Sequence, residues 1–166
     1  MGVDPLIVID DPSTTASPHN PSMSRSEGCG PQRLRLSRKA GWRKPEGAVV
    51  VSRPSQWGNH FTILNHAGQW VVLLDNLWPV LAAFDTKDEA RTRAVQWYRR
   101  WLLDGEWAAG LPHLAQSRAW ILEHLHELAG KDLLCWCPLP ADGETDWCHA
   151  RVLLDLAAVC AKEEQS

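Results

Sequence analysis

The sequence predicts a single small α/β domain, a central sheet of about four or five strands flanked by helices in Rossmann-like layers. Three observations carry this. Short alternating or β-branched apolar runs fill the region from Leu34 to Leu74, long segments with helical apolar spacing follow, and the chain closes on helix, strand, helix. A length of 166 residues, 45% of them hydrophobic, suits one core rather than two.

Residues 1–30 are rich in Pro, Ser, Thr, Asp and Gly and, apart from Leu6 to Ile9, have no apolar period. They read as a flexible leader that includes Cys29, which leaves 31–161 as the domain. Leu34 and Leu36 then alternate with Arg33, Arg35 and Ser37, as in a strand with one wet face. A turn over 39–47 leads to Ala48–Val51, whose continuous apolarity suggests a central strand, stopped by Pro54. Residues 62–74 look like a hairpin around Asn65 to Gly68.

Thr86 or Asp85 is placed to cap a helix over 87–103, with Ala90, Ala94, Trp97 and Trp101 inward and Tyr98 and Leu102 beside them. A second helix is expected over 117–129, with Ser117 near its start, Ile121, Leu125 and Leu128 inward, and Gly130 ending it. Asp132–Cys137 reads as a strand and 138–146 as a loop. The last helix starts at Cys148 and His149, with Asp146 as cap and Val152, Leu153, Leu156, Ala157 and Cys160 as its stripe.

No run approaches the roughly 18 to 20 apolar residues that span a bilayer, and no basic-then-apolar leader opens the chain, so a soluble cytoplasmic protein without membrane partners is expected. Five unevenly spaced cysteines do not suit a secreted disulfide framework. Ten tryptophans, against two phenylalanines and one tyrosine, must mostly fill the core. The net charge of −3 hides a basic segment: Arg33, Arg35, Arg38, Lys39, Arg43, Lys44 and Arg53 face only Glu46 between Pro31 and His60. Such a stretch suits phosphate or nucleic acid, or is simply a solvated loop.

The densest chemistry lies between Cys135 and His149. In a strand, Cys135 and Cys137 share a face and Trp136 takes the other. Cys148 and His149 enter at the helix start, where backbone N–H groups receive anions and lower a thiol pKa, so Cys148 is the candidate nucleophile and His149 its partner. Zinc competes, since three cysteines and a histidine are ligands it prefers, but the spacing departs from the usual C-x₂₋₄-C pairs. Buried packing of small cysteines is the third reading. The strand-to-helix setting favours a pocket floor, so no metal ligand and no cofactor is assigned.

The second candidate is Arg53 to Asn59. Arg53 leaves a strand with a guanidinium suited to phosphate, and Gly58 with Asn59 offers a turn whose amides can face a ligand. The bland alternative pairs Arg53 with a carboxylate and packs Trp57 in the core. His60 reads as a surface histidine able to act as acid or base. His124 falls on a buried face, His126 faces outward, and His66 and His113 lie in connecting segments.

Three blocks, 31–61, 84–102 and 130–157, resemble the uncharacterised bacterial and phage family catalogued as domain of unknown function 4326, over about residues 31 to 158. Arg38, Gly41, Trp42, Arg43, Arg53, Pro54, Trp57, Gly58, Asn59, Cys135, Trp136, Cys137, Pro138, Cys148 and His149 occupy its motif positions. The family usually reads Trp-Gly-Asn-Pro-Phe where this chain has His60, and its loop between the cysteine motifs is commonly shorter. The ending is also similar, over a short stretch, to domain of unknown function 488. Neither resemblance implies an established activity.

The expectation is therefore a domain that handles a nucleotide or nucleic-acid base. Arg53, helped by Arg43, would hold phosphate; Asn59 would bond the base or sugar; Trp57 or Trp136 would stack; Gly58 and Cys137 would shape the pocket beside Cys148 and His149. The alternatives are a non-catalytic nucleic-acid binder using the basic segment 33–53, and a small protein with a structural zinc site.

Overall fold

The computed structural model describes residues 30–106 and 110–163, and all but the last residue of the expected leader lies outside them. Six strands are present among the described residues, in two three-stranded sheets rather than the single central sheet expected. The first is parallel: β1 (Arg33–Arg35) and β2 (Val49–Val50) flank β6 (Leu133–Cys135), with Arg33 opposite Leu133 and Val49 opposite Leu133 from the other side. The second is an antiparallel meander of β3 (Phe61–His66), β4 (Gln69–Leu74) and β5 (Leu77–Phe84).

Local chemistry explains the meander. Two-residue loops close both hairpins, Ala67–Gly68 and Asp75–Asn76, and all four residues take positive φ, as the tight turns that match strand twist require. β5 escapes a pattern search because its apolar run is interrupted by Pro79. β5 is an edge strand, and the β4–β5 register shifts between Val72 and Leu74.

Helix α1 (Lys87–Asp104) opens on a reciprocal capping box, which selects Thr86 over Asp85: the Glu89 N–H reaches the Thr86 hydroxyl at 3.2 Å and the Thr86 N–H reaches the Glu89 carboxylate at 3.0 Å. It closes on Gly105 at φ 73°, a conformation that favours glycine. Arg118 finishes that end, donating to the Trp101, Leu102 and Leu103 carbonyls at 2.9, 2.9 and 3.1 Å. Helix α2 (Pro112–His124) starts five residues before the expected position because Pro112 supplies its first turn, and Ser117 therefore sits mid-helix. A 3₁₀ turn (Leu125–Leu128) continues it, and α3 (His149–Glu163) ends the described chain.

α1 packs across the meander and reaches α2 and α3, while α3 packs on β1 and β6. One core joins them around Val51, Phe61, Val72, Tyr98, Trp101, Leu133 and Leu153. The other face of the parallel sheet holds a small cluster of Leu34, Leu36, Ala48, Val50 and Leu134. Sheets of both kinds flanked by helices make this an α/β domain in the broad sense. Trp57 and Trp101 are buried, whereas Trp42, Trp136 and Trp147 stay exposed. No helix among the described residues is long and apolar enough to cross a membrane.

Candidate metal centre

Strand alternation does what the sequence predicts at β6. Cys135 is buried, Trp136 is exposed and Cys137 turns back inward. Cys148 stands just before α3, its carbonyl accepting the Arg151 N–H at 3.0 Å, and His149 is the helix's first residue. Both are buried.

These elements bring the Cys135, Cys137 and Cys148 sulfurs within 4.8 Å of one another. The Cys135 and Cys137 sulfurs are 3.7 Å apart, and His149 Nδ1 lies 3.8 Å from the Cys135 sulfur. A tetrahedral zinc with about 2.3 Å bonds to sulfur holds its sulfurs roughly 3.8 Å apart. The other imidazole nitrogen is already taken: His149 Nε2 donates to the Val51 carbonyl at 2.9 Å. In the neutral ring, a backbone carbonyl on the far nitrogen selects the tautomer that leaves Nδ1 a lone pair for a ligand. Cys148 and His149 bracket the start of α3, one preceding the helix and the other beginning it.

The electrostatics are those of thiols forced together. Cys135 is pulled well below the ordinary thiol range by hydrogen bonding to Cys137 and Cys148, against the opposing effect of burial. Cys148 is pushed well above it by the Cys135 and Cys137 sulfurs and by burial. His149 is raised to about 10: burial works against its cation, but Cys135, Cys137 and the Val51 carbonyl outweigh that.

Arg33 was expected on the wet face of β1 and is instead buried. Its Nε donates to the Asp146 carboxylate, and its two terminal nitrogens donate to the Cys137 carbonyl at 3.1 Å and the Pro138 carbonyl at 2.8 Å. One guanidinium thereby ties β1 to both ends of the loop that separates the cysteine motifs. Burial opposes its charge, yet Asp146 with the Cys148 and Cys137 sulfurs outweighs this and raises its pKa. Asp146, expected as a helix cap, is engaged by this arginine.

The Arg53 to Asn59 segment behaves differently. Trp57 is buried, edge-on to Trp120 at 4.9 Å, and its carbonyl accepts the Tyr98 hydroxyl at 2.8 Å. The Asn59 amide is spent inside the protein, donating to the Ala94 carbonyl at 3.2 Å and accepting the Phe61 N–H at 2.8 Å. Gly58 is needed for close approach, since a Cβ there would lie 2.5 Å from Arg53 Cγ and 3.2 Å from Arg53 Cα. Arg53 is exposed, with a pKa lowered by burial of part of the side chain while Asp75 and Cys135 oppose the shift. Arg43 is exposed too. Of Trp57 and Trp136, the exposed indole is Trp136, with Arg38 4.7 Å above its ring.

Two cavities open nearby. The larger, about 850 Å³, lies between α1 and the loop, with Asp88, Arg91, Gln96, Pro138, Asp146 and Trp147 on its wall. The smaller, about 290 Å³, is lined by Gln56, His113, Gln116, Ser117 and Trp120. His60, read as a surface group, bonds Asp75 and Ser117 beside it. Spacing carries no signal for that grouping or for Arg33, because their partners lie 15 to 113 residues away.

Residues 34–159 match the family described as Domain of unknown function (DUF4326). No curated protein and no solved structure matches the chain.

Proposed function

The chain belongs to the family of domain of unknown function DUF4326, a description that names no activity, and from the site itself we propose that Cys135, Cys137, Cys148 and His149 hold one structural zinc ion. The carrying observation is the convergence of three sulfurs within 4.8 Å, with His149 Nδ1 3.8 Å from one of them, that of Cys135, and Nε2 anchored on Val51. Three thiolates and a neutral imidazole around Zn²⁺ leave a net charge of −1, and the Arg33 guanidinium, already paired with Asp146, adds a favourable field from beside the Cys148 and Cys137 sulfurs. The ion would join the end of β6 to the start of α3. Elemental analysis of full-length protein expressed in zinc-replete medium is expected to give about one zinc per chain, and its cobalt form thiolate charge-transfer and tetrahedral ligand-field bands. A metal content near zero ends this reading.

A second reading rests on Trp136, which lies between two of the cysteines. It is exposed beneath Arg38, and Arg35, Lys39, Trp42, Arg43 and Lys44 are exposed on the adjoining basic segment. Indoles beside guanidinium and ammonium groups suit single-stranded nucleic acid, with bases stacking and phosphates paired. Affinity for a labelled single-stranded oligonucleotide is expected to fall steeply between about 50 and 200 mM salt. Trp136→Ala should weaken it by about 5- to 150-fold, the equivalent of 1 to 3 kcal/mol per stacked base. Absent or salt-insensitive binding removes this role and leaves the metal centre untouched.

A further inference from the structure

We propose that Ser117, His60 and Asp75 form a second, nucleophilic site, suited to acyl transfer on a small ester at the 290 Å³ cavity beside α2. The Ser117 hydroxyl lies 2.8 Å from His60 Nε2, and His60 Nδ1 lies 2.5 Å from Asp75 Oδ1. A nucleophile within hydrogen-bond reach of a base that a third group orients is the arrangement hydroxyl catalysis requires. It is assembled from three separate elements: the residue before β3, the β4–β5 turn and the middle of α2.

The support around it is specific. The Asp75 N–H donates to the His60 carbonyl at 2.8 Å, which fixes the turn against the strand it serves. The second Asp75 oxygen is 3.1 Å from His113 Nε2, so the carboxylate is held from both sides. The His60 ring stands edge-on to the buried Trp101 at 5.1 Å. Ser117 itself lines the cavity, with the Trp120 indole one turn further along α2. An apolar acyl or aryl group fits against that indole, and Gln56 and Gln116 bring side-chain amide donors to the same wall for the carbonyl oxygen.

The step balances with water alone. Ser117 Oγ attacks the ester carbonyl carbon while His60 Nε2 takes the hydroxyl proton, and Asp75 holds the imidazolium at Nδ1. The bond from the carbonyl carbon to the alcohol oxygen breaks, and the alcohol leaves with the proton from His60. Water then attacks the acyl-serine ester, giving a proton to His60. Ser117 departs with that proton, and the products are one acid and one alcohol.

The test uses the full chain, an alkyl fluorophosphonate and p-nitrophenyl acetate. A single phosphonyl adduct is expected on the peptide carrying Ser117, with Ser117→Ala abolishing it and His60→Gln slowing labelling and ester hydrolysis by about 10²- to 10⁴-fold. Asp75 is a positioning residue: Asp75→Asn should lower the maximal labelling rate and leave the half-saturating probe concentration unchanged. Folding of each variant is checked by circular dichroism, and the wild-type chain decides independently of them. Folded wild-type protein that takes no adduct at Ser117, or a folded His60→Gln variant labelled at the wild-type rate, overturns the proposal.

Discussion

Cys148→Ser is expected to abolish zinc binding and to give the largest stability loss of any single change at the centre. Cys148 is fully buried, its sulfur belongs to the three-sulfur cluster, and its carbonyl accepts the Arg151 N–H at the start of α3. Losing it removes a ligand and leaves a hydroxyl among sulfurs. A site held at about a thousand times its dissociation constant contributes about 4 kcal/mol to folding, against a total of about 5 to 15 for a domain. Urea unfolding should therefore show the wild type shifted strongly to lower midpoint by a chelator, and the variant already at that lower midpoint and insensitive to it. Cys160→Ser, half-buried in α3 outside the cluster, is the control and should retain both zinc and the wild-type midpoint. A Cys148→Ser protein that keeps its zinc sinks the ligand assignment.

Arg33→Ala is expected to cost about 3 to 5 kcal/mol, the penalty of stranding one member of a buried ion pair. The Asp146 side chain is only 17% exposed, and the Cys137 and Pro138 carbonyls lose their donors with it. Zinc affinity should fall by about 10- to 100-fold as well, because the loop that sets Cys137 against Cys148 loses its anchor. Chelator competition reads the second effect and denaturant unfolding the first. The double variant Arg33→Met, Asp146→Leu should recover much of the stability while leaving affinity low. An Arg33→Ala protein within about 0.5 kcal/mol of wild type, the range of ordinary surface changes, contradicts the buried-anchor account.

Much of the fold was legible because its signals are local. Alternation marks β1, the Asn65 to Gly68 turn marks the first hairpin, the Thr86–Glu89 pair marks α1, and the stripe through Val152 and Leu153 marks α3. What local pattern lacks is the identity of partners. Parity says that Leu34 and Leu36 share a face, but not that their face carries the minor cluster while Arg33 turns toward Cys137 and Asp146. The same gap hid the division into two sheets, since nothing within Val49–Val50 says that it pairs with β6 rather than with the meander. At the site, the common face of Cys135 and Cys137 follows from strand geometry. Whether Cys148 joins that face depends on the path of residues 138–147, which spacing does not fix and the structure supplies.

The parallel sheet also sets an order of assembly. Arg33 waits for Leu133, a hundred residues later, whereas each hairpin of the meander closes across two. At roughly 5 to 20 residues per second of synthesis, that interval is roughly 5 to 20 seconds. During it the meander and α1, whose contacts are near in sequence, have everything they need, and β1 and β2 have no strand between them. The arrival of β6 and α3 supplies that strand and, within fifteen residues, Cys135, Cys137, Cys148 and His149, so the closing of the sheet and the gathering of the cluster fall together.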